Sequence, residues 1–266
     1  MAKQSFGNRL LKPFDRDDLN DKRIVSLLRR LIALFGLLLL SATWKLWTPQ
    51  TLFPQVSFFR WAGWLPVWCE WLGFGVMIVS LLVVLCKRSP GNGWRYGLMT
   101  FAFAAVGMIV IDQHRFQPWM YQFVVLSLVL ASVPARHALV LARLIVISLY
   151  FHSAVSKFDF SFLEINGQEL LSGLLGVVNR SAETFSPSMR RAAAGLFPVG
   201  ELLVAVTLCN SRLRLFGLFL SLMMHVLLFA ALGPWGLNHR PGVLLWNLFF
   251  IGQNVLLFGH VFRRIR

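Results

Sequence analysis

The feature that most constrains this chain is the recurrence of apolar runs long enough to cross a bilayer. Stretches such as LIALFGLLLLSATW (31–44) and RLFGLFLSLMMHVLLFAAL (214–232) return along the whole sequence. Spanning about 30 Å of hydrocarbon takes about 20 apolar residues in a helix. In lipid every backbone N–H and C=O must find a partner within the segment, so such runs fold as helices. Candidate spans lie at 28–47, 67–86, 97–112, 119–134, 137–156, 192–209, 214–232 and 242–260, of which the third and fourth are short. The expected fold class is therefore all-α: a polytopic bundle of about eight spans, with a polar tail over 1–23 and one helical domain over 24–266. Composition agrees, since 57% of residues are hydrophobic and only 14% charged, too few to clothe a soluble core. The first apolar run is long and has no small-residue cleavage site, so an uncleaved first span is expected rather than a signal peptide.

The formal net charge is +15. In a soluble protein that would suggest nucleic acid, but here the basic residues are scattered over many loops beside apolar spans, where orientation and anionic headgroups favour them. No nucleic-acid partner is expected. With the N-terminus inside, 17 Lys and Arg fall in cytoplasmic segments and 8 in outer ones, and Arg143 lies within a span. This bias places both termini in the cytoplasm and the protein in the inner membrane.

One outer segment, 157–191, holds four basic residues against the trend. Its ELLSGLLGVV sequence puts Leu170, Leu171, Leu174 and Val178 on one stripe, which predicts an amphipathic interfacial helix after the fifth span. In FFRWAGWLPVW, Trp61, Trp64 and Trp68 sit at a helix entrance as an aromatic belt. Cys69, Cys86 and Cys209 form no C-x-x-C and are expected as small buried hydrophobes. The histidines show no metal-ligand spacing, and no metal is expected. Neither a P-loop, a G-x-S-x-G nor a dinucleotide fingerprint occurs.

Polar chemistry concentrates in three stretches that this topology sends to the outer face. They are DQHRFQPW (112–119), YFHSAVSKFDFSF (150–162) and GPWGLNHRPG (233–242). Together they carry Asp112, His114, Arg115, His152, Lys157, Asp159, Asn238, His239 and Arg240. Within the spans, Arg143, Tyr150 and Lys157 recur every seven residues on one face, and Ser148, His152 and Ser156 every four on another. Asn247 and Asn254 share a face of the last span, as helix–helix glue would. An ionisable group at such depth costs about 2.5–3.5 kcal/mol on insertion scales, so it should face the interior and find a partner. Arg143 and Glu201 lie at similar depth and are expected to pair.

These motifs resemble a known family. IDQHRFQPWMYQF, LYFHSAVSKFDFSFL and MHVLLFAALGPWGLNHRPGVLLWN occur in the order seen in the vitamin K-dependent gamma-carboxylase-like membrane domain, also called the horizontally transferred transmembrane (HTTM) domain. The likeness covers roughly residues 95–250. DoxX-like membrane proteins, several tied to quinone-linked electron transfer, are a more distant likeness. The resemblance implies a helical scaffold with a lipid-side cavity opening at the outer face, and it singles out Asp112, Lys157 and His225. It also departs at one place. Where those carboxylases carry a lysine after the loop aspartate, thought to act as base, this chain has Gln113, which takes no proton near neutral pH. No segment matches their large lumenal domain. Protein carboxylation is therefore not expected.

The leading expectation is a membrane protein binding a lipophilic ligand, a quinone or other lipid. Its polar head would meet Tyr150, His152, His225 and His114 as hydrogen-bond or proton donors and Arg115 as an oxyanion partner. Trp119, Asn238, His239 and Arg240 would complete the binding wall, and Lys157 and Asp112 would serve with the catalytic candidates. Two other classes compete. One is a transporter relaying through Glu201, Arg143 and His225. The other is a non-catalytic assembly subunit with a membrane or secreted protein partner.

Overall fold

The computed structural model describes residues 4–50, 53–87 and 91–259, with side chains from residue 18 onward. Arg88, Arg263, Arg264 and Arg266, which entered the charge count, lie outside the described residues, as do the side chains of most of the polar tail. All regular structure among the described residues is helical. The helices are α1 (Gln4–Ala42), α2 (Trp44–Trp47), α3 (Trp68–Cys86), α4 (Gly93–Ile111), α5 (Pro118–Ser132), α6 (Ala135–Val155), α7 (Gly167–Gly176), α8 (Pro187–Cys209), α9 (Arg214–Leu232) and α10 (Pro241–Phe258). Seven of them are long and apolar enough to cross a membrane, and α5, at 15 residues, is a shorter apolar helix. The chain is a multi-pass integral membrane protein. The polar segment expected as a tail enters helix α1, whose candidate span runs Asp18–Ala42. The first span ends at Ala42 rather than 47, because Thr43 interrupts the helix and turns the chain into α2.

The chain groups into two compact units, Met1–Ala142 and Arg143–Arg266, with the boundary inside α6. In the first unit, Ile24, Leu28, Ile32 and Leu39 form a buried stripe on α1, which packs on α3 and α5. Helices α3 and α4 approach closely at Gly97, where an added Cβ would lie 2.8 Å from a Val84 methyl and 3.1 Å from the Ser80 carbonyl oxygen. Small residues allow such contact between membrane helices. The fully buried Arg29 closes the end of α3: Nη1 donates to Val84 O (2.8 Å) and Nη2 to Lys87 O (3.0 Å). Both carbonyls belong to the set that a helix C-terminus leaves without intrahelical donors. At the far end of α4, residues 55–58 strap the chain. Gln55 Nε2 and Ser57 Oγ both donate to Ile111 O at 2.9 Å, and Phe58 N donates to Val110 O.

In the second unit, α7 lies against α8 and α9, and α9 also packs on α8 and α10. Glycines again mark the close approaches. A Cβ on Gly173 would meet Ala231 O at 2.7 Å, and one on Gly217 would meet Thr207 Oγ1 at 2.7 Å. Arginines again serve helix ends: Arg143 Nε donates to Leu257 O of α10 (2.7 Å), and Arg214 Nε to Leu208 O of α8 (3.4 Å). The expected interfacial helix is α7, but Val178 falls beyond its end and is exposed. Cysteines depart from expectation too. Cys86 and Cys209 are exposed and Cys69 is half-buried, because the first two are the last residues of α3 and α8, past their packed stripes.

Candidate functional site

The candidate residues divide between the units. Asp112, His114, Arg115 and Trp119 belong to the first; Arg143, Tyr150, His152, Lys157, Glu201, His225, Asn238, His239 and Arg240 belong to the second.

The DQHR turn is built from the inside. After α4 ends, Asp112 takes an extended backbone and caps the short 3-10 turn Gln113–Arg115. Its Oδ1 accepts from His114 N (3.1 Å) and lies 2.8 Å from His114 Nδ1. Asp112 is buried, whereas the His114 side chain is half exposed. Arg115, expected at an open rim, points the other way and is fully buried. Its Nη2 pairs with Glu70 of α3, its Nε donates to Leu46 O (3.0 Å), and its Nη1 donates to Met108 O (3.4 Å). A guanidinium committed to a carboxylate and two carbonyls is a structural staple for α2, α3 and α4, not a free oxyanion partner. Trp119 is likewise buried, edge-on to Trp47 at 5.6 Å between ring centroids. Glu70 was not singled out in the sequence. It stands at the start of α3 among the belt tryptophans and reads there as an ordinary acidic first turn.

A second polar set joins α6, α9 and α10. Tyr150 OH lies 2.7 Å from His225 Nε2, and His225 Nδ1 lies 2.8 Å from Asn247 Oδ1. Asn247 Nδ2 donates to Val243 O (2.9 Å), which leaves Oδ1 facing the imidazole. Neutral His225 therefore carries its proton on Nδ1 and accepts from the Tyr150 hydroxyl at Nε2. Asn254 Nδ2 in turn donates to Tyr150 OH (2.6 Å) and to Ser221 Oγ (3.3 Å). The imidazole also stacks on Phe250 at 4.7 Å. All these side chains are buried, and both ring nitrogens of His225 are used. His225 and Tyr150, expected to meet a ligand head, instead fasten three helices. His152, two residues after Tyr150 within α6, falls on a nearly opposite helix face and is exposed.

The third set borders open space. Between α7, α8 and α9 lies a hollow of about 380 Å³, walled by Leu171, Leu174, Phe197, Leu203, Met224 and Leu227. Such a volume is in the range of small-molecule sites. Its charged wall groups are Lys157 and Glu201. Lys157 Nζ donates to both carboxylate oxygens of Glu201 (2.6 and 2.7 Å) and to Ser153 Oγ (2.5 Å). Glu201 thus takes Lys157, not Arg143 as depth alone suggested. Lys157 lies one turn beyond Ser153, just past the end of α6, where its long stem reaches the α8 carboxylate; Arg143 is held at the end of α10. A second hollow, about 500 Å³ and far more polar than the first though still mixed, adjoins it through the shared residues Lys157 and Leu170. Its wall includes Asp159, Glu169 and His239. The neighbouring candidates Asn238 and Arg240 are exposed and do not line either hollow. Asn238 supplies a turn with φ 49°, and Arg240 precedes α10.

The wall of the polar hollow is shaped locally. Asp159 Oδ1 accepts from Phe162 N (2.5 Å), starting a π-helical turn, Phe162–Asn166, that leads into α7. On the other side the GPWGLNHR loop folds back on α9, with His239 N donating to Leu232 O (2.8 Å) and Leu237 N to Ala231 O (2.8 Å). No group of three or more His, Cys, Asp or Glu placed to hold a metal ion occurs among the described residues. No family model matches the chain, and no curated protein or solved structure proves similar to it.

Proposed function

We propose that the second unit binds an amphiphile, a lipid or quinone-like molecule, with its tail in the apolar hollow and its head at Lys157. The observation that carries this reading is the join between the two hollows. An apolar cavity among membrane-crossing helices ends at one ion pair, and there a cavity with a much more polar wall begins. A molecule that is apolar along its length and polar at one end matches that sequence of surfaces. The tail would enter from the bilayer between α8 and α9. The bias of basic residues supports cytoplasmic termini in the inner membrane and sets the head at the outer face. The carboxylase-like resemblance supports the same scaffold reading, with Gln113 setting protein carboxylation aside. The site proper is Lys157, Glu201, Asp159, Glu169 and His239, while Arg115 and His225 hold the helices that frame each unit.

The test is mass spectrometry of small molecules retained by the full chain after gentle purification. Near-stoichiometric lipophile is expected in the wild type and in His225→Phe. It should be lost in Leu174→Trp, which fills the hollow without touching a polar group. No retained lipophile, or retention indifferent to Leu174→Trp, refutes the proposal.

A further inference from the structure

The donors and acceptors around the two hollows are unequal, and the imbalance identifies the head. This step rests on the amphiphile reading above. An ammonium has three N–H donors. Those of Lys157 face Ser153 Oγ and the two Glu201 oxygens, so none is left for a ligand. Charged acceptors outnumber charged donors, although Ser161, Asn166 and His239 also bring O–H or N–H groups to the wall. Each Glu201 oxygen receives one bond and keeps a lone pair, and among the described residues none donates to Asp159 Oδ2 or to either Glu169 oxygen. Ser156 spends its proton on Ser153 O (3.0 Å), so its oxygen faces a ligand only as an acceptor. The formal charge of Lys157, Glu201, Asp159 and Glu169 together is negative.

We infer that the head taken at this site is a hydrogen-bond donor without negative charge, a hydroxylated or amine head, and that phosphate and carboxylate heads are rejected. An anionic head would find a cation already neutralised and further carboxylates beside it. An acceptor-only head would find no spare donor at Lys157. A hydroxyl or ammonium finds unpaired lone pairs on both sides of the join. Like charge carries the discrimination: Asp159 and Glu169 are exposed carboxylates at the wall and Glu201 is buried beside its ammonium, so an anionic head meets repulsion with no free cation at Lys157 to offset it.

The experiment uses four probes with one oleyl-length tail: monooleoylglycerol, oleylamine, oleate and oleyl phosphate. Each is added to the purified full chain in neutral detergent and its occupancy read by native mass spectrometry. Monooleoylglycerol and oleylamine should bind at least tenfold more tightly than oleate and oleyl phosphate. The gap between the first two separates hydroxyl from ammonium recognition. Asp159→Asn combined with Glu169→Gln should narrow the gap to the anionic probes. Leu174→Trp should abolish binding of every probe. Equal or tighter binding of oleate or oleyl phosphate, sensitive to Leu174→Trp, overturns the head assignment and leaves the amphiphile site standing. Binding of all four that ignores Leu174→Trp, or no binding, overturns the site and this inference with it.

Discussion

Replacing Arg115 by methionine keeps most of the side-chain volume and deletes the guanidinium. In the fully buried site this strands the Glu70 carboxylate and removes the donors to Leu46 O and Met108 O. Breaking a buried ion pair from one side costs about 3–5 kcal/mol. Leu46 O adds about 1 kcal/mol where water cannot replace the donor, whereas Met108 O keeps Asp112 N as a partner. The expected loss is therefore on the order of 4–6 kcal/mol, comparable to the whole stability of many domains. Glu70→Gln keeps an oxygen acceptor for Nη2 and should cost less, about 1.5–3 kcal/mol. Adding Glu70→Leu to Arg115→Met replaces the stranded charge by apolar volume and should recover about 2 kcal/mol or more. The assay is reversible unfolding of the full chain in mixed micelles, followed by tryptophan fluorescence, with Trp47 and Trp119 packed beside the staple. Arg115→Met destabilising by less than about 1 kcal/mol, with no recovery in the double variant, would show that Arg115 does not hold α2, α3 and α4 together.

Two further outcomes are expected. Lys157→Met should destabilise by about 3 kcal/mol with most of the loss recovered by Glu201→Leu, whereas Arg143→Ala and Glu201→Ala should add within about 0.5 kcal/mol; strong Arg143–Glu201 coupling in that double-mutant cycle would contradict the pairing described above. Tyr150→Phe leaves His225 Nε2 without its donor and should lower stability by about 1–2 kcal/mol while leaving retained lipophile unchanged, so lost lipophile at intact fold would show that the network faces the ligand.

How much of this was legible in the sequence depends on the range of the interaction. Span positions follow from apolar length, a local property, and all eight expected runs lie on helices. Their ends moved where a single side chain decides them, as at Thr43, whose interruption no hydropathy window registers. The amphipathic helix after the fifth span was visible because a stripe is periodic. Partner choice was not, because it depends on tertiary reach. Depth matched Glu201 with Arg143, but depth is one coordinate. The structure gives Glu201 to Lys157 because Ser153 and the end of α6 hold that ammonium over α8.

The same limit accounts for the DQHR turn. Four polar residues between apolar runs read equally as a site or as a connector. What separates the readings is the direction of each side chain. Arg115 turns inward because Leu46 O at the end of α2, Met108 O at the end of α4 and the Glu70 carboxylate at the start of α3 meet there, and the arginine fork has enough donors for all of them. The same logic governs Arg29, Arg143 and Arg214, each of which donates to carbonyls at the end of a helix. Part of the basic excess that reads as orientation signal is therefore helix-end chemistry, since lipid offers a terminal carbonyl no water and an arginine can supply the donor. A charge in such a chain points to a ligand only when its own donors or acceptors remain unspent. By that criterion the acceptors around Lys157, not the more conspicuous DQHR turn, mark the candidate site.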